Sequence, residues 1–274
     1  MAVTSAEAAG PASVKTERRA RVLPGGLRTA GTYLASILLG LGVWQLLAIR
    51  YGPGLVASPR DTVMAAKDLA ADGTLANSVI ASGRRILIGW GLGLVVGVPV
   101  GLLMGRFTMM RRLLDPYIEF FRFIPPVAFV TLAVVWLGIG ESSKVVLIFY
   151  TSVFIVTLNT IAGVLSVGES KLRAAASLGA GRWQVMRSVV LPATVPHIVT
   201  GSRLAMGNSF LTIVSAEIVA AQVGLGSLIW TSRNYGRIDW VFVGIITLGT
   251  LGFVFDRVLR LVASRALRRY GVKL

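Results

Sequence analysis

The stretch ILIGWGLGLVVGVPVGLLMG, residues 86–105, has no charged side chain. It is long enough to cross a bilayer as a helix, which takes about 20 apolar residues. Gly89, Gly93, Gly97, Gly101 and Gly105 recur at every fourth position, so they share one helix face. Glycines at that spacing leave a groove where a second backbone can approach closely. A tight helix–helix seam is therefore expected, with a gating hinge as the alternative. Pro99, inside the same span, predicts a kink.

Working outward, the same reading gives five more spans, near residues 30–49, 117–137, 145–165, 197–220 and 240–262. The third is interrupted by Pro125-Pro126, and the fifth holds Arg203 and Glu217. The expectation is an all-α membrane protein with six transmembrane helices, residues 30–274 forming one membrane domain. Composition agrees: of 274 residues, 54% are hydrophobic and only 15% charged, where soluble domains carry about 25%. Cysteine is absent and there is one histidine, which leaves no disulfide framework and no thiolate or multi-histidine metal site. The net charge of +16 would suggest nucleic acid only if it formed a patch on a soluble module. It is instead spread over tails and loops, so no nucleic-acid partner is expected.

Those charges orient the chain. Six crossings put both termini on one side, with Lys15, Arg18, Arg19, Arg21, Arg28, Arg106, Arg111, Arg112, Lys171, Arg173, Arg182, Arg187, Arg265, Arg268, Arg269 and Lys273. The other side has Arg50, Arg60, Lys67, Arg84, Arg85, Lys144, Arg233 and Arg237, a bias of about two to one. Both termini are expected to be cytoplasmic, residues 1–29 forming a polar tail that lacks the core and cleavage site of a signal peptide. On the outer side, 58–73 reads as a short helix. Ser58 is its cap, Pro59 its first residue and Asp61 the capping-box partner, Asp72-Gly73 ends it, and Val63, Ala66, Leu69 and Ala70 form its apolar stripe.

Ionisable groups within spans are expensive and point to function by default. Glu119 and Arg122 are three residues apart and can pair on one helix. Asn159 can bond across helices. Arg203 and Glu217 are too far apart along their span to pair, so Glu217 must face protein or water. With Thr212 and Ser215 it makes the fifth span a candidate lining of a translocation route, the pathway candidates being Glu119, Arg122, Asn159, Thr212, Ser215 and Glu217. Arg84, Arg85, Arg233 and Arg237 near the outer mouth would attract an anion.

Catalytic patterns are missing. Gly138-Ile139-Gly140-Glu141-Ser142-Ser143-Lys144 lacks the Gly-Lys-Ser/Thr ending of a phosphate loop, and neither H-E-x-x-H nor G-x-S-x-G occurs. His197 follows Pro196 at a helix start and reads as an interfacial residue. No nucleophile–base set supports a membrane-embedded enzyme, and no clear internal repeat supports a secondary transporter, which would work without ATPase subunits.

The longest polar connection, SVGESKLRAAASLGAGRWQVMRSVVLPAT (166–194), lies on the cytoplasmic side. Residues 171–178 can form two helical turns with little side-chain bulk, Gly179 and Gly181 can stop them, and Trp183, Val185, Met186, Val189 and Val190 form an amphipathic segment ended by Pro192. Such a helix suits insertion into a partner's groove.

Here the chain resembles the "EAA" loop of ABC importer permeases, E-A-A-x-x-x-G, nine residues, then I-x-L-P. The matching positions are Ala174, Ala175, Gly179, Leu191 and Pro192, with Arg173 where the glutamate stands. Ala57-Ser58-Pro59, Arg122-Phe123-Ile124-Pro125-Pro126, Trp136-Leu137-Gly138-Ile139-Gly140, Leu158-Asn159-Thr160 and Gly201-Ser202-Arg203-Leu204-Ala205 are similar to the sulfonate/taurine/nitrate subgroup. The resemblance implies a type I importer fold in a bacterial inner membrane. It implies a permease homodimer with two cytoplasmic ATPase subunits, which bind the ATP and Mg, and an external substrate-binding protein. This chain would bind no cofactor or metal. Its coupling residues would be Lys171, Leu172, Arg173, Ala174, Ala175, Ser177, Leu178, Gly179, Ala180 and Arg182. The implied solute is a small anion (aliphatic sulfonate, taurine, nitrate or a carboxylate), or alternatively a neutral or cationic vitamin precursor.

Overall fold

The computed structural model describes residues 25–267, with side chains for 31–265 and 267. The expected tail before residue 25 and the basic residues Arg268, Arg269 and Lys273 lie outside the described residues. Contacts divide the chain into two units, one ending at Leu46 and one beginning at Leu47. The first contains α1 (Gly25–Tyr51) as far as Leu46. This helix begins before residue 30, so part of the expected tail is helical, and its stretch Gly31–Tyr51 is long and apolar enough to span a membrane.

The second unit holds α2 (Pro59–Ala71), α3 (Thr74–Arg106), α4 (Thr108–Phe121), α5 (Val130–Leu137) and α6 (Glu141–Leu165). Then follow α7 (Glu169–Ser177), α8 (Arg182–Val185), α9 (Leu191–Ala220), α10 (Leu225–Asn234) and α11 (Ile238–Ala266). No strand occurs among the described residues.

The glycine face of α3 lies against α6. A Cβ added at Gly89 would come 2.6 Å from Ile148 Cβ, at Gly101 2.6 Å from Thr160 Cβ, and at Gly105 2.5 Å from Val164 Cβ. Gly93 and Gly97 face Ser152 and Val156 in the same manner. Side chains at these five positions would force the helices apart. Pro99 lies within α3, which continues through it as one helix.

Both residue series rise by four, so α3 and α6 run parallel. A parallel pair needs a return between its members, and α4 and α5 provide it. Over 117–137, where one span interrupted by Pro125-Pro126 was expected, they form a bent pair. A 3₁₀ turn, Pro126–Phe129, separates them, and the pair is bent by 86°. Pro126 has no N–H and confines Pro125 to extended backbone, with ψ 138°. The Tyr150 hydroxyl donates to the carbonyls of Phe121 (2.5 Å) and Ile124 (3.3 Å), satisfying groups the break leaves without helical partners.

α9 runs antiparallel to both. Trp90 Nε1 donates to Ser202 O at 2.9 Å, Ser209 meets Ser152 at 3.1 Å, and Gly163 rests against His197 and Thr194. α11 reverses again, with Arg203 bonded to Asp256 at 2.8 Å and Val199 packed on Ala263. The C-terminal ends of α3, α6 and α11 therefore share one end with α7 and α8, here called the loop end. α2 and α10 lie at the other, the far end.

α2 has the expected cap: Ser58 Oγ accepts from Asp61 N at 3.1 Å and donates to Asp61 Oδ2 at 2.7 Å. Its buried face differs from the expected stripe. Of that stripe Leu69 and, in part, Ala66 pack with Ala65 against Leu228 and Val243, Thr62 is buried too, and Val63 and Ala70 are exposed. Thr62 tolerates burial because its hydroxyl donates to Ser58 O at 2.9 Å.

Candidate functional site

At the far end, Glu217 of α9 is 0% exposed. Its carboxylate accepts from Ser82 Oγ (2.8 and 2.9 Å), Arg85 Nη1 (2.6 Å) and the backbone N–H of Gly226 (2.8 Å). The Arg85 side chain, 5% exposed, also donates to Val223 O (2.7 Å) and, through Nε and Nη2, to Glu141 (2.8 and 2.6 Å). A buried charge is tolerable only when paired and hydrogen-bonded, and this knot pairs each one. It ties α3, α6, α9 and the α9–α10 turn together. Gly224, at φ +151°, leaves room for the Glu217 carboxyl, which a Cβ would strike.

Of the two alternatives for Glu217, protein or water, the structure shows protein, and Arg85 spends its donors on Glu217, Glu141 and Val223. The remaining outer arginines also have contacts but stay partly exposed. Arg84 reaches Glu141 at 3.2 Å, Arg233 lies over Trp230 at 5.2 Å, and Arg237 lies over Trp240 at 4.4 Å while bonding Asp239. The sequence reading missed Ser82 and Arg85 as partners of Glu217, and Glu141 as the second partner of Arg85. A signal for Arg85 existed: position 85 continues the series 89, 93, 97 by one turn and faces Lys144, which continues the α6 series. Lys144 is buried too and donates to the carbonyls of Ile139 and Gly140.

In the middle, α9 has one packed face and one open face. Ala205, Ser209, Thr212, Ile213 and Ala216 are buried. Leu204, Gly207, Leu211 and Val219 are exposed, Leu211 to 72%, and Ser215 is half-buried. Beside this face, a groove of about 440 Å³ is lined by Arg122, Tyr150, Thr151 and Asn208 at the α4–α5 break. Thr212 lies behind it, bonded to Thr151 at 2.9 Å. Arg122 lies over the Phe123 ring at 4.6 Å and reaches Glu119, itself exposed, at 3.6 Å. Asn159 does not bond across helices. Its Nδ2 donates to Ile155 O of its own helix at 2.8 Å, and its side chain packs on Gly201. The candidates thus separate: Arg122, Thr212 and Ser215 lie at or behind the open face, and Glu217 belongs to the knot.

At the loop end, Leu172, Ala175 and Ala180 pack on Val164, Val185, Met186 and Val190. The other side of α7 and its turn, with Lys171, Arg173, Ala174, Ser177, Leu178, Gly179 and Arg182, is exposed, Leu178 to 88%. Gly179 adopts φ +80°, and the N–H of Ala180 returns to Ala175 O at 3.1 Å, a C-terminal stop that favours glycine. Arg173, standing where the resemblance has glutamate, bonds Glu169 one turn earlier at 2.7 Å.

The following segment differs from expectation twice. Trp183 points outward, and Pro192 does not end the helix. A π-helical turn, Met186–Val190, joins α8 to α9, so the chain is helical from Arg182 to Ala220. The wider turn suits Pro192, whose missing N–H disturbs regular helical bonding.

Comparison with known proteins accords with this geometry. Residues 97–268 match the family described as binding-protein-dependent transport system inner membrane component. A probable ABC transporter permease protein of Brucella melitensis is 39% identical over 240 residues, covering 88% of this chain and 97% of the relative. The taurine transport system permease protein TauC of Escherichia coli is 38% identical over 200 residues, 73% of each chain. Among solved structures, a chain of the MetNI methionine ABC transporter, in an inward-facing conformation, superposes with a TM-score of 0.62. It is 20% identical and covers 73% of this chain and 98% of its own, a likeness of fold.

Proposed function

The chain belongs to the family of binding-protein-dependent transport system inner membrane components, and from that premise we propose how it moves a solute. It is a multi-pass membrane permease of an ABC importer with the type I fold. Six crossings (α1, α3, α4–α5, α6, α9 and α11) put both termini in the cytoplasm. The parallel α3 and α6, and the position of α11's C-terminal end beside the loop end, support this topology, as does the excess of basic residues there.

Two copies of the chain flank the route. Two ATPase subunits bind the exposed side of α7 from the cytoplasm, and a substrate-binding protein delivers solute at the far end. ATP and Mg reside on the ATPase subunits, and this chain performs no catalysis. Closure of the ATPase pair displaces α7. The continuous helix from α8 through α9 carries that displacement into the membrane, where the open face of α9 and the Arg122 groove change their exposure to the two sides. Coupling of this kind requires that the permease bind the two ATPase states with different affinity. The solute is a small molecule with a sulfonate-like oxyanion group, a reading supported by the taurine relative.

The observation that carries the mechanism is the unbroken helical path from an exposed, small-residue loop to α9. In vesicles containing permease, ATPase subunits and binding protein, Gly179→Trp adds bulk at a φ +80° position with nothing within 4 Å of a Cβ. ATP hydrolysis should continue while uptake falls to background. Wild-type uptake in that variant would falsify the coupling role.

A further inference from the structure

Arg122 differs from the arginines that hold the fold together. Arg85, Arg203 and Arg237 each hydrogen-bond a carboxylate, at 2.6, 2.8 and 2.8 Å. Arg122 makes no hydrogen bond among the described residues. An oxygen of Glu119 stands 3.6 Å from its Nη2, beyond hydrogen-bond length. That carboxyl side chain is 65% exposed, and pairs between exposed groups contribute little. The guanidinium lies over the Phe123 ring, is 35% exposed and lines the groove at the α4–α5 break.

The groove lies at half height. Its wall takes Tyr150, Ile155 and Leu158 from the middle of α6 and Asn208 from the middle of α9. A cation at that depth is expensive and marks a solute pathway by default. The volume of about 440 Å³ falls in the range of small-molecule sites, about 300–1,000 Å³.

Two kinds of surface meet there. Among the described residues that line it, Arg122 is the one charged group. Asn208 adds a donor, because only one of its two amide N–H groups is needed for Leu204 O, at 2.9 Å. The rest of the wall is apolar, with Phe154, Ile155 and Leu158. From Thr151 to Leu158 it runs about 10 Å along α6, room for a chain of several carbons. A planar fork of N–H donors suits an oxyanion head, and the apolar wall suits a tail.

We propose that the groove is a solute-binding site selective for organic over inorganic oxyanions, with Arg122 and Asn208 holding the head and Phe154, Ile155 and Leu158 the tail. The site deepens the proposed function and rests on it for the route. It gives the permease a selectivity of its own, separate from that of the binding protein.

The chain has no cysteine, so one introduced thiol reports on one place. Ile155→Cys puts it in the tail wall, and Tyr235→Cys, at a far-end position 80% exposed, serves as control. The permease with its ATPase subunits, in phosphatidylcholine nanodiscs without binding protein, is labelled with N-ethylmaleimide and read on the permease band. Butanesulfonate should protect Cys at 155 and leave the control labelled. Ethanesulfonate should need about tenfold more for the same protection, since each buried methylene tightens binding by about fourfold. Nitrate and butylammonium should not protect. Adding Arg122→Gln should raise the protecting concentration by about tenfold or more. Its unfolding midpoint should stay at the wild-type value, because the arginine makes no hydrogen bond within the protein.

A thiol at 155 that is never labelled, or no protection by butanesulfonate, overturns the site. Equal protection by butylammonium, or protection intact in the Arg122→Gln variant with a lowered midpoint, overturns the role of the arginine. Equal protection by nitrate overturns the selectivity for a tail. Failure of the ATPase subunits to remain with the permease would instead count against the importer reading, and the labelling is still read on the permease.

Discussion

The two ends of α9 are built on opposite principles. At the far end, Glu217 is enclosed and bonded to three residues on α3 and α10, and glycines at 224 and 226 admit the close approach. At the loop end, α7 meets the body with one apolar side and leaves Leu178 and Trp183 in the open. One end spends its interactions within the chain, and the other leaves an apolar surface uncovered. The proposed coupling needs this division: a fixed end to resist displacement and a free end to receive it.

The contrast is broken most severely by Glu217→Ala. It leaves Arg85 buried with one carboxylate fewer, and removing one member of a buried pair costs about 3–5 kcal/mol. Thermal unfolding of the purified permease should show this loss, and an unchanged midpoint would mean that the far end is no anchor. Next comes Gly101→Val, which forces a side chain against Thr160 and should cost about 1–3 kcal/mol by the same measurement. Gly207→Ala, on the open face with nothing within 4 Å of a Cβ, should be neutral or stabilising by up to about 1 kcal/mol. Similar losses at both glycines would erase the distinction between seam and open face.

Smaller still, Thr151→Val removes the bond to Thr212 and should cost about 1 kcal/mol. At the loop end the effect moves from stability to work. Leu178→Ala should shift stability by no more than about 0.5 kcal/mol while lowering coupled uptake in reconstituted vesicles by about tenfold. Arg173→Ala breaks an ion pair between two exposed side chains and should leave the unfolding midpoint unchanged within error.

What the sequence revealed follows from the range of each signal. The glycine series, the Ser58 cap and the loop around Gly179 are local patterns, and each corresponds to an element of the structure. The knot is not local: Arg85 and Glu217 are 132 residues apart, and Glu141 lay within a stretch notable only for failing as a phosphate loop. α10 is short and mixed in polarity, so no run of hydropathy marks it. Pro125-Pro126 marked an interruption, but not the 86° bend, nor Tyr150 capping the broken end from another helix. Pro192 was misread for a related reason, since a π-turn absorbs it and local rules treat proline as a terminator.

The parallel seam has a property that its tight fit conceals. Glycine recurs every four residues on α3, and its opposite numbers on α6 recur with the same step. A slip of one turn, about 6 Å along the axis, would return four of the five glycines to a neighbour of the same series. Packing alone therefore leaves the sliding position of the two helices nearly degenerate, like a ruler laid on a ruler with identical marks. The charges at position 85 remove the ambiguity: such a slip in either direction would part Arg85 from Glu141 and Glu217. The glycines set how close the helices lie, and the arginine indexes where along each other they stop.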